Sequence, residues 1–136
     1  VKTTLEADAA LSGVTIVIEE EFTFADSPWI GIYLERRQAP ADDQNLRAGQ
    51  ATRYQISLQL WCMEWSLDSL KVARKLSEDL AGKAEVALMK DRTLNASVDT
   101  FWLEGGEFGG GRDADTRHFL AATEIVLIAK AETNTS

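Results

Sequence analysis

The side chains that could bind a metal ion cluster near the end of the chain. His118, the single histidine, follows Asp113 and Asp115 and precedes Glu124. Zinc sites take three or four nitrogen, sulfur or carboxylate ligands, and hard cations take a loop of well-placed oxygens. Only the two aspartates have a suitable spacing, and no complete ion-binding loop follows them. The sequence therefore predicts a solvated loop before a strand, and no metal site.

A run of glycines is the second candidate for chemistry. Residues 105–111 contain five of the nine glycines of the chain. A phosphate-binding loop has the pattern G-x-x-x-x-G-K-[ST], and a dinucleotide-binding loop joins a strand to a helix. Here Arg112 and Asp113 follow the glycines, and a strand comes next. We therefore expect no nucleotide and no other cofactor, and interpret 105–111 as a flexible loop or the bulged tip of a hairpin.

A nucleophile is the third candidate. Cys62 lies between Trp61 and Met63, without a histidine nearby in sequence. Such a cysteine is typical of a small buried hydrophobic residue rather than a nucleophile. With one histidine and no recognisable pair of catalytic carboxylates, the sequence predicts that the chain is not an enzyme. A small ligand-binding domain or enzyme is the alternative, and a ligand that raises the melting temperature would support it.

Four tryptophans are a high number for 136 residues. Packing in the core or at its margin explains them, and so does a protein–protein interface, where tryptophan, tyrosine and arginine concentrate binding energy. Trp29 and Trp61 alternate with the apolar residues of neighbouring predicted strands, so they point away from the core. That placement favours an interface or a second packed layer.

Length and charge limit the remaining classes. The 136 residues are predicted to form a single domain, 1–136, long enough to bury its own core. The net charge of −8 argues against wrapping nucleic acid, because phosphate binding needs lysine and arginine. A regulatory module that binds a partner protein stays open. No run of about 18 apolar residues is present, so we expect no transmembrane helix and no membrane partner.

The hydrophobic periodicity predicts an α+β fold with a mainly antiparallel sheet of about five strands. A long helix at about 66–90, opened by Ser66, and a short N-terminal helix pack on one face. We expect the short helix, at 4–11, to end at Gly13 and to have earlier turns missing. The predicted strands are 14–18, 29–36, 51–61, 96–104 and 117–130.

The alternation within strands predicts which faces are buried. In 51–61, Tyr54, Ile56, Leu58 and Leu60 share one face, and the other face is polar. A half-polar sheet is covered on one side only, or meets a wet interface. The last strand is apolar on both faces, which predicts a central position.

This order of elements resembles the tail terminator, or tail-completion, proteins of long-tailed bacteriophages. A short helix ends in Leu11-Ser12-Gly13-Val14 and leads into a strand. The strand Pro28–Tyr33 carries the charged end Glu35-Arg36-Arg37. A long polar loop precedes the strand Arg53–Trp61, and a helix rich in alanine and leucine precedes a final hairpin. The resemblance covers nearly the whole chain and rests on packing patterns; the glycine-rich 105–111 segment departs from it.

The resemblance implies a structural virion protein without catalytic residues. Such proteins are assembled in the host cytoplasm and form a hexameric ring at the head-proximal end of the tail tube. The ring stops tube polymerisation and provides the docking surface for the connector, while DNA passes through the lumen without specific binding. Another neck protein or a tail-tube protein is the alternative, although tube proteins usually devote more residues to a sheet that lines the lumen, whereas this chain has a long predicted helix.

The loop at 37–50 is the predicted contact with the tail tube. Basic residues concentrate at and near this loop in an otherwise acidic chain. The candidate partner-contact residues are Arg36, Arg37, Arg47, Arg53, Trp29, Asp42 and Asp43. Deleting residues 40–48 is expected to preserve the fold and to abolish tube capping.

Overall fold

The computed structural model describes residues 1–22, 27–38, 51–91, 93–94, 98, 100–112 and 117–134. Its elements follow in the order α1 (Lys2–Glu6), a 3-10 turn (Ala9–Leu11), β1 (Thr15–Ile18), β2 (Trp29–Gln38), β3 (Ala51–Ser66), α2 (Leu70–Met89), β4 (Thr100–Arg112) and β5 (Phe119–Asn134). This order confirms the predicted α+β class, with one long helix, a short N-terminal helix and five strands.

The five strands form one sheet in the order β1-β2-β3-β5-β4. β2 with β3, β3 with β5, and β5 with β4 are antiparallel. β1 runs parallel to β2, so the sheet is mixed rather than purely antiparallel. The last strand, β5, is paired on both sides as its two apolar faces predict, but the middle strand is β3. Among the described strands, β1 and β4 are the outer ones.

Both helices pack on one face of the sheet, as predicted. The buried apolar core on that face contains Leu5, Leu11, Ile16, Ile30, Ile32, Leu60, Leu80, Leu88, Ile125 and Leu127. The face of α2 that meets the sheet is built largely of small residues, so the helix approaches closely. The hydroxyl of Ser77 donates to the Cys62 carbonyl at 2.7 Å and lies 2.7 Å from Thr123 Oγ1. These bonds satisfy a fully buried polar side chain.

The long helix begins at Leu70, four residues later than predicted. Ser69 is its N-cap, and the Ser69 hydroxyl accepts a hydrogen bond from Val72 N at 3.2 Å. Ser66, the predicted N-cap, is instead the last residue of β3. Its hydroxyl accepts from Asp68 N at 3.0 Å. The strand continues this far because β5 pairs with it up to Phe119.

The glycine-rich segment is part of a strand. β4 runs through 105–111, and its pairing with β5 shifts between Gly105 and Phe108. A flexible loop at 105–111 is therefore wrong, whereas the bulge is present, inside the strand rather than at a hairpin tip. A Cβ on Gly106 would lie 2.5 Å from the Glu124 carbonyl oxygen, so glycine permits this close approach of the two strands.

The N-terminal segment forms the short helix α1 and a separate 3-10 turn, instead of one helix over 4–11. Asp8 separates them, because its Oδ1 accepts from Ala10 N at 2.9 Å and caps the 3-10 turn. Gly13 has φ +84°, the left-handed conformation that the sequence predicts for the end of the helix.

Candidate functional site: the open face of the sheet

The sheet face opposite α2, here called the open face, is the largest candidate site. The register places alternate residues of β2, β3, β5 and β4 on it. No helix in the described part of the chain packs against it. Its half-buried or exposed apolar side chains are Trp61, Met63, Trp65, Trp102, Leu120, Val126 and Ile128. A broad aromatic and aliphatic surface of this kind is typical of protein contacts.

Trp29 lies on the open face, as alternation predicts, but its own chain covers it. Its side chain is 1% exposed. The ring of Phe22 meets it edge-on at 5.4 Å between centroids, and Tyr33 lies 6.4 Å away. Gly31 leaves the space between them, because a Cβ there would lie 2.7 Å from Trp29 Cζ3 and 2.8 Å from Tyr33 Cε2. The ring of Trp29 therefore packs beneath the open face and is not exposed on its surface.

A hydrogen bond from Tyr33 holds the segment after β1 against the open face. Its hydroxyl donates to the Glu20 carbonyl. Burial, and then the carboxylates of Glu19, Glu21 and Glu20, raise the pKa of Tyr33, so the hydroxyl stays protonated and remains a donor. Beside it lies an open depression of about 460 Å³ lined by Glu21, Phe22, Trp29, Tyr33, Gln59, Trp61 and Met63.

One buried carboxylate lies in the middle of the open face. Glu124 is 8% exposed and faces the bulge of β4. Gln59 Nε2 donates to its Oε2 at 2.8 Å, and Glu107 N donates to its Oε1 at 3.2 Å. Both carboxylate oxygens therefore have hydrogen-bond donors, as a buried charged group requires. Glu124 fixes the bulge and so the path of β4 beside β5.

Two members of the candidate metal cluster, Glu124 and His118, have other contacts in the structure. Glu124 makes the hydrogen bonds just described, and His118 meets the ring of Trp65 edge-on at 4.2 Å. Asp113 and Asp115 lie outside the described residues. In the parts of the chain that the structure describes, no three His, Cys, Asp or Glu side chains are grouped to hold a metal ion. Burial raises the pKa of the Cys62 thiol to about 12, which keeps it in its unreactive form.

The predicted partner-contact residues fall into two groups. The backbones of Arg36, Arg37 and Arg53 come together at one end of the β2–β3 pair, where Arg36 faces Ser57 and Arg53 faces Glu132. Their side chains, and all of Asp42, Asp43 and Arg47, lie outside the described residues. Trp29 is at the opposite end of β2, roughly 23 Å along the strand from Arg36. The structure therefore does not bring Trp29 together with the basic residues.

Part of the open face was not anticipated from the sequence. Met63 and Trp65 belong to it because β3 continues past Trp61, the predicted end of the strand. The signal was present, since Trp61, Met63 and Trp65 keep the two-residue period. Val126 and Ile128 were recognised as apolar, but their neighbours could be identified only once the strand order was known.

Comparison with known proteins adds no family assignment. No family model matches this chain, and a search of curated proteins gives no match either. Among the described residues, no helix has both the length and the apolar character needed to cross a membrane.

Proposed function

We propose that this chain is a structural virion protein that acts as a phage tail terminator. It forms a ring, in keeping with the hexamers of the family it resembles, at the head-proximal end of the tail tube. There it stops tube polymerisation and offers a docking surface to the head-completion proteins of the connector. The proposal takes its class from the sequence resemblance, and its physical support comes from the sheet.

The open face is the observation that carries the proposal. Four strands of ten or more residues form it. Strands about 4.8 Å apart, counted over about ten residues each, cover roughly 600 Å². A standard interface buries about 800 Å² per partner, so this face alone approaches the size of a stable contact. Its side chains are aromatic and aliphatic, and its buried carboxylate is satisfied internally, which suits a binding surface rather than a reaction.

Ring formation needs two different surfaces that meet between neighbouring copies. The described sheet has two unlike outer strands, the four-residue β1 and the thirteen-residue β4. Unpaired outer strands and the faces beside them are common sites of association. A ring on a tube needs contacts between neighbouring copies and a contact with the tube. The outer strands are available for the first, and the open face of the sheet is available for the second.

The net charge of the chain is compatible with a ring through which DNA passes. A net charge of −8 disfavours binding to the DNA backbone, so DNA can pass through the ring without being held. The tail tube protein and the connector are the proposed partners, and the head-proximal end of the tail is the proposed location. The loop at 37–50, with Arg36, Arg37, Arg47 and Arg53, remains the proposed tube contact.

Polymerisation of purified tail-tube protein tests the proposal. Adding the chain should stop tube growth and leave a ring at one tube end in negative-stain images. Ile128→Glu, which places a charge on the open face, should abolish capping. Val72→Glu is the matched control, because Val72 is 40% exposed on α2, which packs against the other face of the sheet. Unchanged tube length at saturating chain would contradict the proposal, and growth of the chain itself into long tubes would favour a tube protein.

A further inference from the structure

A basic corner lies where the end of β4 meets the start of α2. It consists of Leu67, Leu70, Arg74, Phe108 and Arg112. The three apolar side chains are 61%, 36% and 56% exposed in that order. Large apolar side chains that are this exposed beside arginines form a surface suited to binding another protein, because burying each of them would lower the free energy.

Two contacts join the α2 part of the basic corner to its β4 part. The guanidinium carbon of Arg74 lies 5.7 Å from the centroid of the Phe108 ring. Leu70 reaches β4 as well, because a Cβ on Gly110 would lie 3.1 Å from its Cδ1. The guanidinium of Arg112 lies over the ring of Phe119, at 5.5 Å from the centroid. Arginine stacked on an aromatic ring keeps its charge and its outward N–H groups available.

An acidic corner lies at the opposite edge of the sheet, just after β1. It consists of Ile18, Glu20, Leu34 and Glu35. Ile18 is 55% exposed and Leu34 is 56% exposed. Leu34 follows Ile30 and Ile32 on the same face of β2, but it extends past the cover that the helices provide.

Backbone contacts hold the acidic corner in place. Leu34 N donates to Glu19 Oε1 at 2.7 Å, and Glu19 N donates to the Ile32 carbonyl at 3.0 Å. These bonds fix the turn after β1 against β2, so Ile18 and Leu34 lie on the same face of the sheet, and each is followed directly by a glutamate in the chain. The pairing of β2 with β3 shifts between Leu34 and Arg36, which marks the end of the regular ladder.

We propose that the acidic corner of one copy of this chain docks on the basic corner of the next copy. The inference rests on the ring proposed above and names its lateral interface. The two corners have opposite charge, each has exposed apolar side chains, and they lie beside the two outer strands of the sheet. A contact between unlike surfaces of identical copies is heterologous, and it leaves one free corner of each kind for the following copy until a ring closes.

The charges that surround the two corners differ. Near the basic corner in the chain, Lys71 and Arg117 are balanced by Asp68 and Glu107, so its positive charge comes from Arg74 and Arg112; Asp113 and Asp115, which follow Arg112, lie outside the described residues. Glu19 adds a third carboxylate near the acidic corner. Arg36 and Arg37 follow Glu35 along β2, and their side chains lie outside the described residues. Complementary charge of this kind sets the register and speeds encounter, while the apolar groups hold the contact.

Charge reversal tests the interface. The basic-corner variant is Arg74→Glu with Arg112→Glu, and the acidic-corner variant is Glu20→Lys with Glu35→Lys. Each should be monomeric by light scattering at concentrations where the wild-type chain assembles, alone or on tail tubes. A chain with all four substitutions should assemble again, because the charges are complementary once more. Lys75→Glu with Lys83→Glu is the control, since it changes the net charge equally on exposed positions of α2.

A salt titration of the wild-type chain tests the same interface without mutation. Since exposed charges are screened over about 10 Å at 0.1 M salt, the assembly constant should fall about tenfold or more between low salt and 0.5 M sodium chloride. Rings that persist in both corner variants, or assembly independent of salt, would overturn the inference and leave the ring itself intact. A wild-type chain that is monomeric with and without tail tubes would instead overturn the proposed function.

Discussion

Replacing Gly31 by alanine tests how the open face is built. In an extended strand, alanine should gain about 0.5–1 kcal/mol over glycine through the lower entropy of the unfolded chain. Against this, the new Cβ would lie 2.7 Å from Trp29 Cζ3 and 2.8 Å from Tyr33 Cε2. Trp29 is 1% exposed, so moving its ring would disturb its contacts with Phe22 and Tyr33. Overpacking of this kind costs about 1–3 kcal/mol, and the expected net loss is about 1–2 kcal/mol in the free energy of unfolding.

Urea denaturation followed by tryptophan fluorescence measures this loss. For a chain of this length, it corresponds to a fall in melting temperature of roughly 3–8 °C. Gly82→Ala is the matched control, because Gly82 lies in α2 with nothing within 4 Å of its added Cβ. There the substitution should stabilise the chain by up to about 1 kcal/mol through helix propensity. If Gly31→Ala is as stable as the wild type, the rings do not pack over Gly31 as described.

Three further changes follow from buried or capping groups. Burial raises the pKa of Cys62 to about 12, so the native thiol should resist alkylation at pH 8 and react only on unfolding. Because the folded-state pKa is the higher one, the contribution of the Cys62 thiol to stability should be complete below pH 9 and fall by about 1.4 kcal/mol per pH unit from pH 9 to pH 10, a slope that Cys62→Ala should lack. Ser77→Ala removes the donor to the Cys62 carbonyl and should cost about 1–3 kcal/mol, measured by denaturation; no loss would contradict the buried hydrogen bond. Ser69→Ala should cost about 0.5–2 kcal/mol and lower helicity by circular dichroism, and an unchanged spectrum would contradict its role as N-cap.

The overall architecture was predictable where one side of an element is buried. Alternation in 29–36 and 51–61 identified the buried faces, because Ile30, Ile32 and Leu60 all lie in the core. The three- and four-residue spacing identified α2. The parallel pairing of β1 with β2 was not predictable, since it depends on the path of the chain after Ile18, which no local pattern encodes.

Errors arose where pairing overrides local preference. Glycine disfavours strands, yet 105–111 is held in β4 because β5 provides a continuous partner and Gly106 accommodates Glu124. Ser66 and Ser69 have equal capping preference, and the extra pairing of β3 with β5 decides between them. In the candidate site, the outward direction of Trp29 was predictable, but its cover by Phe22 was not, because that contact comes from a segment outside the predicted strands.

Light scattering after size exclusion, followed by negative-stain imaging of the same sample, tests the central claim most directly. The chain should be measured alone and after addition of tail tubes. A closed ring of six copies, formed alone or on the tube end, is the predicted result. A chain that stays monomeric at its mass of 15.0 kDa in both samples, and leaves the tube ends bare, would contradict the claim.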